Sequence, residues 1–121
     1  MIHGAFGEGG ELAKFLEENN IPFIGSSSDP SAIAFDKFDA SWKLEREGYY
    51  SVPTMLLDNP EEKECLGRIE SFFQNNQLSR AVLKPACSGS SIGVTEVRNS
   101  EACLKAFRSM HADKIDSRFV L

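Results

Sequence analysis

The 121-residue sequence is poor in cysteine and histidine, and this shortage excludes several kinds of site. Its three cysteines, Cys65, Cys87 and Cys103, are an odd number, lie far apart and form no C-x-x-C pair, and there are only two histidines. Because a structural zinc site needs four ligands at compatible spacing, we predict no metal site in this chain. The cysteine pattern indicates a reducing compartment, with the thiols serving as small buried hydrophobic residues.

Long apolar runs and basic clusters are also missing. No stretch approaches the ~20 apolar residues of a membrane span, and the start of the chain lacks the basic and apolar regions of a signal peptide. The 13 Lys and Arg residues are scattered and are outnumbered by 18 Asp and Glu, for a net charge of −5. We therefore predict neither a membrane nor a nucleic acid as partner, so any bound anion must be held by a local group of residues.

The remaining sequence is typical of a folded protein of one domain or parts of two, with 41% hydrophobic and 26% charged residues. Apolar spacing predicts alternating helices and strands, and hence an α/β or α+β layer fold. The predicted helices cover 11–20, 31–47 with one possible break, 66–76 and a segment that Ser100 caps. The predicted strands cover 21–25, 52–57, 81–83, 93–97 and 118–121.

Both ends of the chain suggest a segment of something larger. The sequence opens within three residues of a glycine-rich loop and ends on an apolar strand with nothing after it to cover it. We expect a piece cut at both ends, with exposed apolar faces. An internal boundary is placed near 58–64, which divides the chain into residues 1–57 and 58–121.

The strongest chemical signal lies around a lysine that precedes a proline. Lys84 should end a strand, because a residue before proline is restricted to extended geometry. Five residues later begins the segment Gly89-Ser90-Ser91-Ile92-Gly93, whose backbone N–H groups and hydroxyls suit phosphate oxygens. This combination suggests a polyphosphate clamp, although it matches neither a Walker A loop nor a dinucleotide fingerprint. A simple hairpin with a solvated lysine is the alternative.

Two weaker signals lie in the first half. Lys37 falls within the predicted helix 31–47, where most lysines are solvated. His3 and Gly4 open a glycine-rich stretch before the helix that begins near Glu11, and helix N-termini attract carboxylates and phosphates. His3 could donate to a bound carboxylate, or it could be an ordinary residue of a turn.

In combination, these motifs resemble D-alanine-D-alanine ligases of the ATP-grasp superfamily along nearly the whole chain. The lysine-proline pair followed by Gly-Ser-Ser-Ile-Gly-Val, about fifty positions after Asp36-Lys37, is the most specific part. Two positions depart from the family pattern: Ser88 replaces an acidic residue before the loop glycine, and Gly9 replaces an aspartate. The full set of matching segments is His3-Gly4, 7–10, 21–25, Asp36-Lys37, Val52-Pro53, 83–85 and 89–94.

The resemblance implies a role for each matching residue. Lys37 and Lys84 would contact the phosphates of ATP, and the segment from Ser88 through Gly89, Ser90 and Ser91 to Gly93 would close over the β and γ phosphates. Ser90 would also face the substrate, and His3 would help to bind the first D-alanine carboxylate or the acyl phosphate made from it. Glu8 matches a position near the site.

The resemblance also implies a function for the parent protein. Residues 1–57 would end a Rossmann-like N-terminal domain, and 58–121 would form the small α+β lobe of an ATP-grasp enzyme. ATP and Mg²⁺ would be used to join two D-alanines for peptidoglycan precursor synthesis, by a homodimer in the cytoplasm or in a plastid. The Mg²⁺ ligands would lie outside this chain, which we expect to be inactive alone. A non-catalytic or split-subunit fragment, or a ligase for another amino acid, are the alternatives.

Overall fold

The computed structural model describes residues 4–89 and 92–121, which divide into two compact units. The first unit takes the described residues up to Val52 together with Cys87–Gly89. The second takes Pro53–Ala86 and the described residues from Ile92 to Leu121. The chain thus leaves the second unit after Ala86 and contributes a three-residue segment to the first.

The first unit is built from helices. Helix α1 covers Ala5–Glu8, α2 Glu11–Glu18, α3 Ser28–Phe35 and α4 Lys37–Arg46. Gly10 precedes α2 with a φ of +90°, and a Cβ on it would lie 2.4 Å from the carbonyl oxygen of Ser28. Glycine is therefore required where α2 and α3 approach each other. The predicted helix 11–20 is confirmed in α2.

The predicted helix 31–47 is confirmed with its single break. The break falls at Asp36, whose extended backbone separates α3 from α4. The predicted strand at 21–25 is wrong: these residues have no strand pairing, and Ile24 is fully exposed. A short apolar run indicates a strand only where a neighbouring strand is present to pair with it.

The second unit packs two helices against an antiparallel sheet. Strand β1 covers Leu56–Leu57, β2 Ala81–Pro85, β3 Thr95–Val97 and β4 Phe119–Val120, and the order in the sheet is β1-β4-β2-β3. Leu56 pairs with Val120, Lys84 with Val120 and Leu83 with Thr95. Helices α5, Cys65–Asn75, and α6, Ser100–Ala112, pack against each other. The predicted mixture of helices and strands is confirmed.

The hydrophobic core lies within this second unit. Phe107 of α6 stacks edge-on against Phe119 of β4, with ring centroids 5.3 Å apart. Ile69 of α5 and Leu83 of β2 are fully buried. The rest of the core cluster consists of Leu57, Cys65, Phe73, Val97, Cys103, Leu104, Met110 and Leu121.

Three details of this unit differ from expectation. Asn99, and not Ser100, caps α6, because its Oδ1 accepts the N–H of Ala102 at 2.8 Å. The last strand, expected to be uncovered, lies between β1 and β2 and is buried. The predicted strand 52–57 is shortened to β1 at the sheet edge, with Val52 exposed before Pro53.

Candidate functional site

The structure places five of the predicted site residues in two regions. Lys37, Ser88 and Gly89 belong to the first unit, whereas Lys84 and Gly93 belong to the second. The remaining predicted site residues, His3, Ser90 and Ser91, lie outside the described residues. Each region is described below by itself.

In the first unit, Lys37 meets the segment that begins the phosphate loop. Its Nζ donates a hydrogen bond to the carbonyl oxygen of Ser88 at 2.6 Å, across 51 positions of sequence. Lys37 is the first residue of α4 and is half-buried. Lys37 therefore contacts the start of the loop segment, whereas most lysines in such a helix are solvated. An ammonium has three donors, so the carbonyl of Ser88 uses one of them.

Asp36 fixes the helix start from which Lys37 projects. Its Oδ1 accepts the backbone N–H groups of Phe38 at 2.9 Å and Asp39 at 3.0 Å, which is N-cap geometry. Its Oδ2 accepts the thiol of Cys87 at 3.1 Å. Asp36 is only 4% exposed. The buried carboxylate of Asp36, which accepts several hydrogen bonds, therefore directly precedes Lys37 in the chain. The sequence analysis gave Asp36 no role of its own.

A cleft of about 440 Å³ opens beside these residues. Glu8 contributes a carboxylate to it, and that Oε2 accepts the backbone N–H of Gly4 at 3.0 Å. A Cβ on Gly89 would lie 3.8 Å from the same oxygen, so glycine leaves the wall at this point open. The lining is mixed: Glu8, Ser26, Pro30, Ser31, Ala34, Phe35, Lys37, Ser88 and Gly89. Its volume falls within the usual range for small-molecule sites.

In the second unit, Lys84 lies on the face of the sheet away from the core. Directly paired residues of antiparallel strands share a face, and neighbours along a strand alternate. Lys84 therefore shares its face with Val120 and Val82, whereas the fully buried Leu83 points to the helices. The strand ends at Pro85, one residue after the predicted end. The half-buried Lys84 is thus carried on a strand rather than on a loop.

Gly93 marks the return of the chain towards β3. Its φ is +70°, and a Cβ there would lie 2.9 Å from Cγ of Pro85 and 3.2 Å from Cγ2 of Ile115. Both the backbone conformation and the space demand glycine. The residue that was predicted as part of the phosphate loop therefore also fixes where the loop rejoins the unit.

The three cysteines do not share one environment. Burial raises the pKa of Cys103 to about 12 and also raises the pKa of Cys65, so both remain thiols, as the prediction of small buried hydrophobic residues requires. For Cys87 that prediction is wrong, because its half-buried thiol donates to Asp36. An aspartate directly before the Lys37 helix is an N-cap pattern that could have identified Asp36, but nothing local pairs it with Cys87.

Residues 4–89 and 92–121 contain no group of three or more His, Cys, Asp or Glu side chains placed to hold a metal ion. Within the same ranges, none of the helices has the length and apolar character needed to cross a membrane.

Comparison with known proteins identifies relatives of this arrangement. No family model matches the chain. The D-alanine-D-alanine ligase of Enterococcus hirae is 31% identical over 121 residues, which is 100% of this chain and 33% of that protein. The chain therefore spans about one third of the length of the curated relatives it matches.

Solved structures agree in fold. The D-alanine-D-alanine ligase from Coxiella burnetii matches with a TM-score of 0.88 and 26% identity, over 99% of this chain and 34% of that one. The Bacillus anthracis enzyme, solved in complex with ATP, matches with a TM-score of 0.71 and 26% identity over 98% of this chain and 37% of that one. Along its full length, the chain is therefore similar to about one third of a D-alanine-D-alanine ligase.

Proposed function

We propose that this chain supplies phosphate-binding residues to an ATP-dependent D-alanine-D-alanine ligase. The observation that carries the proposal is the hydrogen bond from Lys37 Nζ to the carbonyl of Ser88, which holds a cation against the start of the loop. A structural relative of this segment was solved with ATP. Residues 1–57 and 58–121 would then be the end of the N-terminal domain and the small ATP-grasp lobe.

The residues present fit the phosphate part of ATP. Lys37 in the first unit and Lys84 in the second each supply a positive charge on a regular element, and Gly89 in the first unit is exposed. Fixed cations and N–H donors stabilise the charge that develops during phosphoryl transfer. The γ-phosphoryl group of ATP would pass to the carboxylate of one D-alanine with release of ADP, and the amine of the second D-alanine would attack the resulting acyl phosphate and expel inorganic phosphate. Ser90 and His3 are proposed to face these substrates, as the resemblance implies.

Other properties of the parent enzyme follow from the same proposal. Mg²⁺ would be held by residues outside this chain, and the parent would be a homodimer. We place the reaction in the cytoplasm, where ATP is available and where the three free thiols stay reduced. The product would serve peptidoglycan precursor synthesis.

A chimera tests the function directly. This chain replaces the matching third of the E. hirae enzyme, and dipeptide formation is measured with ATP, Mg²⁺ and D-alanine. We expect ligation, and we expect Lys84→Ala to lower kcat/KM for ATP by the equivalent of roughly 3–4 kcal/mol, since one such contact is typically worth that much. Lys43→Gln, on the exposed part of α4, is the matched control and should change little. A folded chimera that forms no dipeptide would contradict the proposal.

The isolated chain provides a second test. We expect the purified 121-residue protein to release neither ADP nor dipeptide from ATP, Mg²⁺ and D-alanine, because it would contribute only part of the site. Recovery of both products would show that the chain is a complete catalyst and would overturn the proposal of a partial site.

A further inference from the structure

The contact between Asp36 and Cys87 joins two parts of the first unit that are far apart in sequence. The thiol of Cys87 donates to Oδ2 of Asp36 at 3.1 Å, and the carboxylate is buried at 4% exposure. A hydrogen bond to a charged acceptor contributes more than one between neutral groups, although a thiol is a weak donor. The contact is therefore a defined link of moderate strength.

This link stands beside a second one. Asp36 is followed by Lys37, and Cys87 is followed by Ser88, whose carbonyl accepts from Lys37 at 2.6 Å. Two consecutive residues of the helix start are thus joined to two consecutive residues of the loop segment. Two adjacent links restrict the orientation of the segment more than a single link would.

Asp36 also accepts hydrogen bonds from both the loop segment and the first turn of α4. While Oδ2 receives the thiol, Oδ1 receives the N–H groups of Phe38 and Asp39 in the first turn of α4. One buried carboxylate therefore fixes the direction of the helix that carries Lys37 and the position of the residue before Ser88. A substitution at Cys87 would therefore alter the position of the Lys37 ammonium, although the two side chains are not directly linked.

We propose that Asp36 and Cys87 are positioning residues for phosphate binding: their thiol-carboxylate hydrogen bond holds residues 87–89 against the start of α4 in register with Lys37. The proposal rests on the proposed function, because it assigns the pair to the same phosphate site. It adds two residues that bind no phosphate themselves and act through Lys37 and Ser88.

Substitutions separate this role from simple stability. Cys87→Ala removes the donor, and Cys87→Ser keeps one. Asp36→Asn keeps an oxygen for the helix cap but places an NH2 group opposite Cys87, and that group cannot accept from the thiol. We expect Cys87→Ala and Asp36→Asn each to weaken binding of inorganic tripolyphosphate to the full 121-residue chain about fivefold, and Cys87→Ser to bind within about twofold of wild type. The double variant should be no weaker than either single one.

The S–H stretching band provides a readout independent of binding and of any variant's stability. The Cys87 band, identified by its loss in Cys87→Ser, should lie at lower frequency than those of Cys65 and Cys103 and should move up in Asp36→Asn.

The outcomes are distinguishable. Wild-type protein that binds no tripolyphosphate would overturn the proposed function and, with it, the role of the pair. Wild-type binding that is unchanged by Cys87→Ala and Asp36→Asn would overturn the positioning role alone. If Cys87→Ala does not fold, Asp36→Asn and the infrared band decide, and a Cys87 band at the free-thiol frequency would refute the link. Lys43→Gln is the control and should bind like wild type.

Discussion

The two units of the chain are held together in different ways. In the second unit, a cluster around Phe107, Phe119 and Ile69 is withdrawn from water. Among the described residues of the first unit, the two that are buried are Gly10 and Asp36, a residue without a side chain and a carboxylate. The second unit is thus stabilised mainly by apolar burial, and the first by close backbone approach and hydrogen bonds. Substitutions of the same chemical kind should therefore destabilise the two units by different amounts.

Replacing a phenylalanine with alanine should give the largest difference in stability loss between the two units. Phe107→Ala empties a fully buried position and should destabilise the second unit by about 3–5 kcal/mol. Phe15→Ala in α2 removes a ring that is 53% exposed and should cost less than about 1 kcal/mol. Urea unfolding, monitored by amide hydrogen exchange, measures the loss of stability in both variants. Equal losses from the two variants would show that the contrast between the units is not real.

Glycine substitution should single out the helix contact of the first unit. Gly10→Ala forces a left-handed alanine and brings its Cβ against the carbonyl oxygen of Ser28, so we expect a loss of about 2–4 kcal/mol. Gly48→Ala has the same positive φ but open space around it, and it should cost only about 1–2 kcal/mol. The fluorescence of Trp42, the one tryptophan of the chain, reports unfolding of this unit. Similar losses for the two would mean that α2 and α3 are not in close contact.

Alkaline pH should weaken the second unit. The pKa of Cys103 is raised to about 12 by burial, so the unfolded chain loses this proton first, and stability falls as the pH rises from about 9 towards 12. One such proton changes the slope by at most about 1.4 kcal/mol per pH unit. Hydrogen exchange of the α6 amides measures this slope, and Cys103→Ala should flatten it. An unchanged slope in that variant would contradict the assignment.

Acid should weaken the first unit by a smaller amount. Hydrogen bonds from the hydroxyl and N–H of Ser28, at 2.6 and 3.0 Å, lower the pKa of Glu17. The stabilisation is present above the ordinary pKa of a glutamate and is lost as the pH falls through the lowered one. Trp42 fluorescence should show a loss of stability below about pH 4 that Glu17→Gln reduces. The same acid dependence in Glu17→Gln would exclude this carboxylate as its source.

The elements that sequence predicted well are those with local signals. The apolar spacing of α5 and α6 repeats over several turns, and the break at Asp36 carries its own capping residue. The prediction of a strand at 21–25 was wrong because it was based on an apolar run alone. Whether such a run forms a strand depends on a partner strand that is distant in sequence. The cap of α6 was misplaced by one residue because Asn99 and Ser100 are both good capping residues.

The residues of the candidate site could be proposed from the sequence, but the contacts between them could not. Lys84 was singled out by its place before Pro85 and the Gly-Ser segment that follows, whereas Lys37 was given a role only through the family resemblance, since a lysine in a helix is by itself unremarkable. The contacts of Lys37 with Ser88 and of Asp36 with Cys87 each span 51 positions, a separation over which no periodicity or capping rule operates. The tertiary fold alone brings these residues together.

The central proposal is that Lys37, Lys84, Ser88, Gly89 and Gly93 contact the phosphates of a nucleotide. Titration of the isotope-labelled chain with ATP and, separately, with inorganic tripolyphosphate tests it most directly by nuclear magnetic resonance. We predict that both ligands shift the amide signals of Ser88, Gly89 and Gly93 and the side-chain signals of both lysines. Shifts confined to Arg68 of α5, or no saturable shifts at all, would contradict the proposal.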